Sequence, residues 1–288
     1  MARRTVTAFY DDQITHHAAA LTYYGLMSLF PTLLFGLSLL GLLGHYPETY
    51  EAILSYLRGL VPDTTLGTLD AALRGALQSK GTAATALVLG LVVTLYGTTG
   101  ALEAARRALN VVFEAGGDRS FLRRKAIDIA SSVLLIGLVS ATLVLLFVGG
   151  GLARDLFGFL GLGSTAAWVW GLVRWPAALA VAMLVFAFVY YVTPDVEQRA
   201  FRWITPGALA GVTVWLAASA TFSFYVSNFA DVNATYGSFA AAIVLIVWLW
   251  LTNLALLFGA ELNAEIEREK EMEQGVPEPL TLHLPEKG

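Results

Sequence analysis

Residues 239–260 read FAAAIVLIVWLWLTNLALLFGA, 22 consecutive positions without a charged side chain. At about 1.5 Å of rise per helical residue the stretch reaches about 33 Å, enough to cross the hydrocarbon core of a bilayer. Trp248, Leu249, Trp250 and Leu251 follow one another and so face every direction around a helix axis. A helix in water keeps an apolar stripe and a charged back, so a segment like this one calls for lipid as its solvent. With a mean hydropathy of +0.65 and 57% hydrophobic residues, the other apolar runs cannot all hide in one soluble core. They are read as crossings too. The expected fold is all-α: a polytopic transmembrane helical bundle with six spans, amphipathic periplasmic helices and both termini in the cytoplasm.

The six spans are expected at about 18–44, 82–99, 127–152, 168–192, 203–229 and 239–260, within one membrane domain covering residues 1–268. Beyond Ala260 a charged helix is expected over residues 261–274, and residues 269–288 form the cytoplasmic tail, whose proline-containing end is expected to be disordered. The first apolar run is far longer than the roughly 7–15 residues of a signal-peptide core, so it is read as a retained span. Before it, Val6, Phe9, Tyr10 and Ile14 lie at helical spacing beside Asp11, Asp12, His16 and His17. This pattern suits a short amphipathic helix at the membrane surface or a solvated leader. Pro31 in the first span frees a backbone carbonyl and predicts a kink with helices packed around it. Between residues 45 and 81 the pattern turns amphipathic, predicting two short helices over one membrane face, divided near Pro62. Gly90, Gly97 and Gly100 in and just after span two suit close helix contact, and Gly207 and Gly211 form a GxxxG face in span five.

Orientation follows from the cations. Residues 101–126, read as a connecting loop, carry Arg106, Arg107, Arg119, Arg123, Arg124 and Lys125. One side of the membrane collects 13 of the 18 Lys and Arg residues and the other 4, with Arg174 inside a span. The richer side is the cytoplasm, and an even number of crossings returns both termini to it.

The first span, AAALTYYGLMSLFPTLLFGLSLLG over residues 18–41, resembles the A-A-L-x-Y-Y-x-L-x-S-L-F-P signature of the YihY/BrkB family of bacterial inner-membrane proteins, long mislabelled as ribonuclease BN. Ala108-Leu109-Asn110, the stretch 191–194, Pro206-Gly207-Ala208 with Trp215, Tyr236-Gly237, and Gly259-Ala260-Glu261-Leu262-Asn263 are similar to family landmarks in the same order. The resemblance covers about residues 8–268. It implies six helices, cytoplasmic termini and a place in the bacterial inner membrane, and it brings a transport or lipid-translocation role proposed for some members.

The residues themselves exclude several functions. With no cysteine, thiol catalysis and disulfides are ruled out. A net charge of -4 without a concentrated basic face argues against a nucleic-acid partner. Hydrolysis of RNA by paired metal ions needs clustered histidines and carboxylates, whereas His16, His17, His45 and His283 lie in three separated segments. The sequence therefore reads as a non-enzyme with no cofactor. No GxxxxGK[ST] motif is present, so ATP coupling would need a partner protein.

The expected partners are membrane lipids and a lipid or amphiphilic substrate, with no oligomeric state specified. A polar groove for an amphiphile's headgroup could be coated by Tyr23, Tyr24 and Ser28 of span one, Ser219, Ser223 and Ser227 of span five, and Asn253 of span six. The competing account is hydrogen bonding between helices. Tyr236 and Pro31 join the candidates as neighbours of these segments. Arg174, about six residues inside span four, is read as the only ionisable side chain clearly within a span; it could meet an anionic headgroup or snorkel among Trp168, Trp170 and Trp175. Glu261 and Glu265 could line an inner vestibule or form a solvated helix end. The absence of midplane Asp, Glu or His speaks against a proton-coupled carboxylate relay. The reading is a transporter or flippase-like translocator, with a non-transporting scaffold or envelope-integrity factor as the alternative and a membrane enzyme third.

Overall fold

A computed structural model describes residues 2–42, 80–115, 121–147, 157, 163–196, 204–228 and 240–273. Seven long elements lie among them: α1 (Ala2–Asp11), α2 (Ile14–Leu42), α3 (Lys80–Val112), α4 (Phe121–Phe147), α5 (Gly163–Val192), α6 (Pro206–Asn228) and α7 (Ala240–Glu273). The described residues contain no β-strand. Lipid leaves a spanning segment no water to satisfy its backbone, so long Leu-, Ala- and Val-rich runs close their hydrogen bonds locally as helices. Among the described residues, four stretches are long and apolar enough to cross a membrane: Val88–Val112, Thr165–Val192, Pro206–Asn228 and Ala242–Glu273. Helices α2 and α4, of 29 and 27 residues, occupy the places predicted for spans one and three. Residues 45–79 of the expected amphipathic pair and Tyr236 lie outside the described residues, and residues 80–81 open α3.

One boundary differs from the sequence expectation. The basic stretch 101–126 is not one loop, because α3 continues to Val112 and α4 begins at Phe121. Arg106 and Arg107 thus belong to a helix. Helix α7 runs past Ala260 to Glu273, over the stretch read from the sequence as a charged helix. Its 34 residues reach about 51 Å, well beyond a core of about 30 Å. The uncharged part ends at Ala260, and Glu261 opens a charged extension beyond the spanning segment.

The chain divides into two compact units. The first comprises Met1–His17, Ala105–Ala217 and Leu254–Gly288. Here α4 packs along α5, and α6 meets α7 through small residues. A Cβ on Gly207 would strike the Gly259 carbonyl and the Asn263 side chain, and one on Gly211 would come within 3.0 Å of the Ala255 carbonyl and the Phe186 ring. The GxxxG face is therefore a packing seam, and hydrogen bonds lock it. Thr205 Oγ1 accepts from the Ala208 backbone N at 3.0 Å as the N-cap of α6, Asn263 Oδ1 accepts from Gly207 N at 2.8 Å, and Asn263 Nδ2 donates to Thr205 Oγ1 at 3.1 Å. The Tyr190 hydroxyl donates to the Leu256 carbonyl at 2.5 Å. Helix α1 docks on α7, with the Phe9 and Phe258 rings 6.3 Å apart and Arg4 reaching Met272 Sδ at 3.9 Å.

The second unit comprises Ala18–Ala104 and Ala218–Asn253. The glycines of α3 work as their positions suggest: a Cβ on Gly97 would lie 2.9 Å from Ser28 Cβ, and one on Gly100 2.9 Å from the Tyr24 ring. Across helices, Asn253 Nδ2 donates to Thr22 Oγ1 at 3.1 Å and Trp248 Nε1 donates to Ser219 Oγ at 3.2 Å.

Candidate functional site

Arg106 and Asn110 are spaced by four and therefore share one face of the last turns of α3, and Glu114 follows two residues past its end. Together they reach three other parts of the first unit: Arg106 meets α4 and the residues just past α5, Asn110 those same residues, and Glu114 α7. Arg106 is only 4% exposed; its Nη2 donates to Asp128 of α4, itself 4% exposed, and its Nε lies 3.8 Å from Asp195 Oδ1, just past α5. Asn110 holds Asp195 twice, donating from Nδ2 to Oδ2 and accepting from the Asp195 backbone N, both at 2.9 Å. One guanidinium thus serves two buried carboxylates and ties three elements together. Buried ion pairs add little net stability, but removing one partner strands the other in low dielectric.

Glu114 ends the helix in the left-handed region, at φ 51°. Its N–H bonds the Val111 carbonyl at 3.1 Å and the Ala115 N–H reaches back to Asn110 O at 2.8 Å, the paired bonds of a Schellman cap. Glycine normally takes that position, because a Cβ there costs about 1–2 kcal/mol. The glutamate carboxylate instead accepts from Arg268 of α7, whose other Nη donates to Glu265. Backbone strain is tolerated where the side chain secures an ion pair.

One turn before Glu265 on α7, Glu261 is 0% exposed, and neither carboxylate oxygen has a hydrogen-bond partner among the described residues. Asp12 stands beside it from the α1–α2 turn, where Gln13 also takes φ 51°. Burial, first, and then the neighbouring Asp12 push the Glu261 carboxyl up from the ordinary range, with Arg268 opposing and Glu265 adding. Asp12 is also raised, mainly by burial, against the pull of its contact with Glu261 and of Arg268. His17 is lowered by burial while Asp12 draws it back up.

The sequence candidates fall in several places. Glu261 and Glu265 are not a solvated helix end, since both are buried in this network. Arg174 stacks over the Trp175 ring at 4.9 Å. In the second unit Tyr23 and Tyr24 are exposed with their rings edge to face, and Ser28 Oγ donates to the Gly25 carbonyl at 2.9 Å. Ser219 is used by Trp248 and Asn253 by Thr22, which is helix-to-helix bonding. Ser223 and Ser227 are exposed on α6, with Ser227 Oγ donating to the Ser223 carbonyl at 2.7 Å. Pro31 lies within α2.

Sequence reasoning missed Arg106, Asn110, Asp128, Asp195 and Asp12. Two signals were available. Asp128 is the second residue of the predicted third span, so Arg174 is not the only ionisable group to explain there. The spacing of Arg106 and Asn110 marks one helix face once 101–112 is taken as helix rather than loop. Among the described residues no three His, Cys, Asp or Glu side chains group to hold a metal ion.

The family model described as virulence factor BrkB matches residues 5–280. The ribonuclease-like protein YfkH of Bacillus subtilis is 28% identical over 255 residues, which cover 88% of this chain and 90% of that protein. UPF0761 membrane proteins of Nitrosospira multiformis and Laribacter hongkongensis are 27% and 25% identical over 265 and 252 residues. The matches cover 90% and 86% of this chain but 58% and 57% of those proteins, so the chain spans just over half their length. No solved structure matches the chain.

Proposed function

The chain belongs to the virulence factor BrkB family of integral membrane proteins, and from that premise we propose that it is a six-span translocator of a lipid or other amphiphile in the bacterial inner membrane, with both termini cytoplasmic. The observation that carries this reading is the hydroxyl-bearing surface of α6. Thr213, Thr221, Ser223 and Ser227 are exposed on a helix otherwise apolar enough to span a bilayer. Spanning helices usually turn such groups toward other helices. Thr213 and Ser227 donate to the Leu209 and Ser223 carbonyls of their own helix, which meets the donor's need and leaves oxygen lone pairs for a passing headgroup. Uncharged hydroxyls do this without the expense of a buried charge.

The topology has its own support. Helix α1 docks on the C-terminal half of α7, which suits an even number of crossings. The chain lacks cysteine, so single engineered thiols at residues 119–125 can be labelled without background. Labelling only from the cytoplasmic side is expected, and labelling from the periplasm would overturn the orientation. The transport reading is tested by reconstitution into vesicles carrying fluorescent lipids of several headgroups. Faster transbilayer movement than in empty vesicles is expected; no acceleration with any headgroup would refute the lipid-translocator reading. The glycine seam between α6 and α7 and the Arg106 node favour a second reading, a rigid non-transporting scaffold, which predicts that null result.

A further inference from the structure

The charged extension of α7 presents an imbalance that packing alone does not resolve. Glu114 and Glu265 share Arg268, so the guanidinium that faces this cluster among the described residues is committed to two carboxylates. Asp12 and Glu261 bring two more acids. Among the described residues, the other titratable groups close to the pair are Asp11 beside it on α1 and His17 on the first turn of α2, with His16 next to His17. None of these supplies a cation that bonds Glu261. An ionised Glu261, with no exposed surface and no donor for either oxygen, would be an uncompensated buried charge. As the neutral acid it needs only an acceptor for its O–H, and the carboxylate beside it is Asp12.

We propose that Asp12 and Glu261 form a proton-binding site, a carboxylic acid paired with a carboxylate that together hold one proton on the side of the membrane carrying the α1–α2 turn. The proton enters from water as Glu261 becomes the acid and donates to Asp12; on release it returns to water and leaves two like charges side by side. The two carboxyls belong to elements that can part. Asp12 sits in the turn between α1 and α2, beside the left-handed Gln13, while Glu261 is fixed within α7. Protonation therefore holds the turn against α7, and deprotonation drives it away. That the movement gates translocation rests on the transport reading above; the proton site itself does not.

Infrared titration of the full chain in lipid nanodiscs, from about pH 5 to about pH 10, spans the range over which raised carboxyls ionise. The wild type is expected to show a buried protonated-carboxyl C=O band at neutral pH that disappears on the alkaline side. E261Q should lack that band, whereas the exposed control E269Q should keep it. D12N, which removes the neighbouring charge, should shift its loss to lower pH. A wild-type spectrum at neutral pH indistinguishable from that of E261Q, or a band unmoved by D12N, would overturn the proposal. If E261Q fails to fold, D12N still decides. Vesicles without lipid movement alongside a titrating band would sink the transport reading and leave the proton site standing.

Discussion

Replacing Arg106 with methionine removes the cation bonded to Asp128 and lying 3.8 Å from Asp195, while keeping a flexible apolar stem of similar reach. Both carboxylates are at most 5% exposed, so water cannot take the cation's place. At an effective dielectric of about 20, a pair 3.8 Å apart interacts by about 4 kcal/mol, and the Asp128 contact is closer still. Desolvation offsets part of this, but breaking a buried pair from one side costs about 3–5 kcal/mol. Against a total stability of about 5–15 kcal/mol, R106M should be severely destabilised. D128N should cost less, about 1–2 kcal/mol, because it leaves Arg106 facing one carboxylate in a neutral node. The double variant R106M/D128N should recover about 1.5 kcal/mol or more relative to R106M, since Asp195 keeps both bonds to Asn110. The assay is reversible unfolding in mixed micelles, followed by tryptophan fluorescence. Equal midpoints for R106M and D128N, or additive losses in the double variant, would refute the claim that one guanidinium compensates two buried acids.

Three other outcomes are expected. E114A loses the Arg268 pair and keeps the strained backbone, whereas E114G loses the pair and relaxes it, so E114G should be about 1 kcal/mol more stable by the same unfolding measurement. G207A forces a methyl into the Gly259 carbonyl and should cost about 1–3 kcal/mol, while G25A, with nothing within 4 Å of its Cβ, should be neutral or stabilising by up to about 1 kcal/mol; thermal melts in detergent separate them. Asp12 and Glu261 are both raised in the folded chain, so the native state binds protons that the unfolded chain has released. Stability should therefore fall as pH rises from the ordinary carboxylate range, 3.8 for Asp12, through the folded values. A D12N/E261Q variant should flatten that slope in melts recorded across pH, and an unchanged slope would contradict the assignment.

How much of this was legible beforehand depends on the range of the interaction. Span six is written in consecutive residues, because a helix in lipid needs only apolar side chains and its own backbone. The glycine faces were legible too: Gly97, Gly100, Gly207 and Gly211 advertise close approach simply by lacking a side chain, and each meets a neighbour at a distance a methyl would violate. Partner choice among charges was not. Arg106 looked like a topology-setting cation because positive charge near a span end serves equally well in a loop or a buried pair. Its Asp128 partner is 22 residues away, and the Asn110–Asp195 pair is separated by 85.

The sequence by itself determined the solvent, the helices and the faces on which they touch, since those follow from hydrophobicity and a 3.6-residue period along one strand of chain. Tertiary structure alone decided that Glu261 is buried rather than bathed in water. That outcome depends on α1 docking on α7 and bringing Asp12 with it, and no local pattern encodes whether a charged helix end will be covered.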